Sequence, residues 1–136
     1  MLKHQSQINE NTCTSACLAM ILDISIWTVF QEFHAEYCSG TMSVSDYLDK
    51  KRCAYTILNS IDTIKEDGIY LAVVASLNTV GGLHQIVMEV MDGNITIYDP
   101  NKGRVGMKYY SNDVDDMTSV RLTQYILDLK IGGVSL

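Results

Sequence analysis

Proline is almost missing from this chain, with Pro100 alone among 136 residues. Disordered chains are rich in proline and charge and poor in apolar residues. Here 47% of residues are hydrophobic and 19% charged, which excludes that class and fits a globular domain. Long apolar runs are missing too. The longest, around "ACLAMIL" at 16–22, falls well short of the ~20 residues that cross a bilayer, so no membrane insertion by this chain is expected. The opening "MLKHQSQINE" has no apolar core of a secretory signal. A reducing cytoplasm is then the default location, and the four cysteines are expected as free thiols. A toxin or effector delivered into a target cell's cytosol by another machine would lack a signal as well, and that alternative stays open. Positive charge is scarce: ten Lys and Arg stand against sixteen Asp and Glu, for a net charge of −6. Nucleic-acid binding needs clustered cations, and "KKR" at 50–52 reads as a solvated helix end instead.

What remains is enough chain for one domain, 1–136, with no repeat, low-complexity stretch or linker. Residues 12–22 predict a helix capped by Thr12 or Asn11, apolar nearly all round and therefore buried. Further helices are expected at 24–36 and 43–52, the latter opened by a Ser cap. The runs "CAYTILNS" at 53–60 and "GIYLAVVAS" at 68–76 are β-branched-rich and predict strands. Asp92-Gly93 signals a two-residue hairpin turn inside 84–100, pairing Met91 with Asn94, Val90 with Ile95, Met88 with Ile97 and Ile86 with Asp99. The stretch 107–130 predicts one or two more strands or a short helix. Helices first and a mostly antiparallel sheet after them make an α+β pattern.

The hairpin register carries the chemistry. Alternation puts His84, Ile86, Met88, Val90, Ile95, Ile97 and Asp99 on one face, expected to be the core face. Its polar members, His84 and Asp99, fall together at one end as diagonal neighbours, about 7–8 Å apart at the backbone. A lone strand His or an Asp before Pro is commonly a satisfied core or turn residue; sharing one face and one edge is what singles out the pair. A carboxylate on one imidazole nitrogen fixes the tautomer and favours the imidazolium, leaving the other nitrogen for a third group. Cys13, at the expected helix start, suits that place, because the helix dipole and a nearby His⁺ both lower a thiol pKa. The Cys13 N–H and an upstream amide could stabilise an oxyanion. Gln7 is the candidate amide and Gln5 the runner-up.

These residues carry a resemblance. "QINENTCTSACLAMI", "LHQIVMEV" and "ITIYDPNKG" resemble the peptidase domain of bacteriocin-processing bacterial transporters, papain-like cysteine peptidases that cut leader peptides after a double glycine. The family pattern has a Gln six residues before the Cys, a second Cys four after it, and an Asp-Pro about fifteen after the His; here these are Gln7, Cys13, Cys17, His84 and Asp99. The resemblance implies a papain-like fold with a buried Cys helix against an antiparallel sheet. It also implies a Cys13–His84–Asp99 triad, Gln7 in the oxyanion hole, a peptide or protein substrate and no cofactor. Thr14 departs from the family's Gly after the Cys, and no counterpart of the family's C-terminal Trp-Gly segment or of a transporter portion is recognised.

Three functions follow as expectations: a bacterial cysteine peptidase, a delivered toxin or effector such as a protein glutamine deamidase, or a catalytically silent peptide-binding module. The implied partners beyond substrate are a transporter domain or an immunity protein. Cys17 is expected in the core, Cys38 and Cys53 as buried or incidental thiols, and His4 and His34 without partners. Cys13 and Cys17 alone cannot build a zinc site, so no metal is expected. "NDVDD" at 112–116 lacks the Gly and Glu of a calcium loop and reads as a solvated turn.

Overall fold

A computed structural model of the chain describes residues 2–132. Helix α1 spans Cys13–Leu22 and buries seven of its ten residues, as its unbroken run of Ala, Leu and Met dictates. It ends on Asp23 in a left-handed conformation, whose N–H reaches the Ala19 carbonyl. Thr12 does not cap it with its side chain, contrary to expectation. Its Oγ1 turns back instead to accept the N–H groups of Ile8 and Asn9, at 2.9 and 3.0 Å. Next come α2 (Ile26–Val29), a π-helical turn (Phe30–His34) and α3 (Ala35–Cys38), which run on as one rod opened by the Ser25 cap. Helix α4 (Val44–Lys50) opens with a complete capping box between Ser43 and Asp46.

The strands are β1 (Tyr55–Ser60), β2 (Gly68–Ala75), β3 (Leu83–Met91), β4 (Asn94–Tyr98), β5 (Tyr109–Ser111), β6 (Ser119–Arg121) and β7 (Ile126–Ile131). Five form an antiparallel sheet in the order β1-β7-β2-β3-β4, while β5 and β6 pair in parallel. The fold is thus mixed α+β with a mostly antiparallel sheet. Asp92 and Gly93 both take positive φ, and Met91 pairs with Asn94, Val90 with Ile95 and Met88 with Ile97. The ladder stops at Val87–Tyr98, so Asp99 stands one residue beyond the strand rather than opposite Ile86 in it.

The sheet is covered on both faces, which corrects the expectation of one core face for the hairpin. Val87, Leu71, Leu129 and Tyr98 pack with α1, the α2 rod and α4. Ile86, Met88, Val90, Tyr70 and Leu127 form a second core with Tyr110 of β5. Strand β3 belongs to both, and seven of its nine residues are buried. The expected thiols separate: Cys17 is buried, Cys53 half-buried and Cys38 exposed. His34 stacks on Phe30, with ring centroids 4.9 Å apart, and lies against the Cys38 sulfur. No described helix is long and apolar enough to cross a membrane.

Candidate active site

The N-terminal segment is stitched to the turn that follows β4. His4 Nε2 donates to the Asp99 carbonyl at 2.7 Å, Ser6 Oγ to the Lys102 carbonyl at 2.5 Å, and the Gln7 N–H to the Pro100 carbonyl at 2.9 Å. His4 therefore has a structural partner after all. Gly103 is required here: its φ is +91°, and a Cβ on it would come within 2.9 Å of Ser6 Oγ.

These bonds bring Gln7, the start of α1 and the head of β3 to one cleft of about 210 Å³. Cys13 and His84 line it together with Gln7, Glu10, Asn101 and Arg104. Asp99 lies behind His84, 1% exposed. Its Oδ1 accepts from His84 Nε2 at 2.6 Å and from the Asn101 N–H at 2.8 Å. Its Oδ2 accepts from the Tyr110 N–H at 2.7 Å. A carboxylate can only accept, so the bonded nitrogen carries the proton and His84 Nδ1 is the ring nitrogen left for the cleft.

Charge in this pair is settled by neighbours working against burial. Burial pushes the Cys13 thiol up, but the His84 imidazole and the Gln85 backbone N–H together bring it below its ordinary value. Burial likewise pulls His84 down, yet the bond to Asp99 and then the Cys13 sulfur raise it to about 9. Both shifts favour thiolate beside imidazolium. Burial above all, and then the charges of Cys13 and Asp99, hold the Cys17 thiol well above its usual range. Of the two thiols on α1, only Cys13 is poised as a nucleophile.

Donors for a developing oxyanion are also at hand. The start of α1 has no side-chain cap and no acidic residue in its first turn, so its leading N–H groups keep their positive end. Gln7 is buried, and its Nε2 donates one hydrogen to the Asn9 carbonyl at 2.7 Å, which fixes the amide and leaves a second hydrogen. Gln7 Oε1 is buried without a partner. Gln5 is elsewhere: its amide spans the Ile24 carbonyl and the Ile26 N–H, pinning the turn between α1 and α2.

Behind the cysteine lies a polar chain that the hairpin pattern did not reveal. Thr14 Oγ1 donates to Gln85 Oε1, and Gln85 Nε2 donates to Asp128 Oδ2 at 3.1 Å. Thr14 and Gln85 are buried, and burial raises the Asp128 carboxyl. The available signal was the polar Gln85 inside an otherwise apolar strand. Asn101 was legible as an Asx-turn partner two residues after Asp99. Asn78 was not: its amide clamps Lys108 by two backbone bonds of 2.9 Å, joining the loops on either side of the cleft.

Fold and site together define an α+β chain in which a helix-start cysteine shares a cleft with a buried His–Asp pair. Among known proteins, no family model, curated protein or solved structure matches this chain.

Proposed function

We propose that the chain is a papain-like cysteine hydrolase acting on a peptide or protein substrate, resembling the bacteriocin-processing peptidases. The observation that carries this reading is the buried His84–Asp99 pair, 2.6 Å apart, turned toward the cysteine at the uncapped start of α1. The Cys13 thiolate attacks a substrate carbonyl carbon. Negative charge gathers on the carbonyl oxygen, where the Cys13 N–H and the Gln7 amide receive it. His84 then protonates the departing amine, leaving a thioester on Cys13. Water, deprotonated by His84, cleaves that thioester and restores the thiolate. Asp99 holds the ring in its working tautomer throughout.

The same steps release ammonia if the carbonyl belongs to a glutamine side chain, as in a delivered deamidase. The small cleft, bordered by two loops tied through Asn78, supports that second reading, because it suits a single inserted side chain. Incubating the chain with a proteome-derived peptide library and reading products by mass spectrometry separates the two. New chain ends mean proteolysis; a gain of about one dalton at glutamine means deamidation. Cys13→Ala is expected to abolish either product while the fold persists. Undiminished turnover in that variant would sink the mechanism, and a folded wild-type chain without any turnover would favour the silent binding module.

A further inference from the structure

The cleft holds a cation that the triad chemistry does not use. Arg104 follows β4 in the same turn as Asp99 and lines the cleft with Cys13 and His84. Its Nη1 donates to Asn101 Oδ1 at 3.0 Å. Asn101 is 6% exposed, and its own N–H is fixed on Asp99 Oδ1. The guanidinium is therefore held by the very turn that orients His84, and the loss of side-chain entropy on binding a ligand is partly prepaid. One of its five N–H groups is used in this bond. No carboxylate among the described residues lies within ion-pair distance of it, and Glu10, the other charged side chain of the cleft besides the triad, is exposed and unpaired with it. A half-buried arginine that no described acid neutralises, lining the same cleft as Cys13, has the fork geometry that suits a planar anion.

We propose that Arg104 recognises a carboxylate on the substrate, so that the reacting carbonyl lies next to an acidic side chain or a terminal carboxylate. This rests on Cys13 being the reacting group, and it goes further by naming the substrate's charge.

Two alkylating reagents of similar size test it without knowledge of the substrate: iodoacetate, which carries a carboxylate, and iodoacetamide, which does not. The rate ratio of the two at Cys13 is read by peptide mass mapping, with exposed Cys38 as internal reference. Taking the ratio cancels changes in thiolate population. In the wild type the ratio at Cys13 should exceed that at Cys38 and shrink in high salt. Arg104→Gln should lower the Cys13 ratio about fivefold, the size of one partly exposed charge pair, and Arg104→Lys should keep most of it. An Arg104→Gln ratio equal to wild type would overturn the proposal while leaving Cys13 chemistry intact. Failure of both reagents to label Cys13 in the wild type would overturn the proposal together with the hydrolase reading.

Discussion

His84 Nε2 and Asp99 Oδ1 lie 2.6 Å apart across fifteen residues of chain, although Asp99 is outside the strand ladder. The turn closes that gap: the N–H groups of Asn101 and Tyr110 pull the carboxylate inward, and His4 anchors the Asp99 carbonyl. Asp99→Asn keeps the shape but removes the charge. The His84 pKa should then fall from about 9, because burial, which opposes protonation, is left with only the Cys13 sulfur to offset it. Titration of the His84 ring protons by NMR reads this directly.

Stability should depend on pH in a way that exposes the pair. The raised His84 pKa contributes stability that is complete below 6.5 and lost as pH rises through about 9. The lowered Cys13 pKa contributes stability that is complete above 9.0 and lost as pH falls through its folded value. Between the folded value of Cys13 and about 9 the two slopes oppose each other, since there folding moves a proton from thiol to imidazole without net uptake. Wild type should therefore show little pH dependence from this pair there. Cys13→Ala removes one slope and should lose stability as pH rises, by at most about 1.4 kcal/mol per pH unit. Urea denaturation at several pH values checks both curves.

Thr14 follows Cys13 in α1, and its hydroxyl is committed to Gln85. Thr14→Val should leave Gln85 Oε1 buried without a donor, costing about 1–3 kcal/mol. Thr14→Ser retains the donor and should recover most of the loss. Equal stability of the Val and Ser variants in urea would show that the bond contributes nothing.

Much of the site was legible because it is local. Asp92-Gly93 dictates a turn of positive φ, and alternation from it sets the face shared by His84, Ile86 and Met88. The abrupt passage from "QINENT" to "ACLAMIL" marks the helix start at Cys13. What escaped is non-local. Strand β7 inserts between β1 and β2, a pairing no pattern within "YILDLK" encodes. Without that insertion, neither the second core against Leu127 nor the place of Asp128 beside Gln85 could be inferred. Thr12 misled for a related reason: a hydroxyl at a helix start can bond forward or backward, and here the preceding loop claims it.

The central claim is that His84 holds Cys13 as a reactive thiolate. Its most direct test is the rate of Cys13 alkylation by iodoacetamide across pH, in wild type and in His84→Ala. Wild type should rise to a plateau with a midpoint below 9.0. In His84→Ala the burial that disfavours the thiolate is left with less to oppose it, so the midpoint should move upward and the neutral-pH rate fall about tenfold or more. A wild-type midpoint at or above 9.0, unmoved by His84→Ala, would contradict the pairing on which the catalytic reading stands.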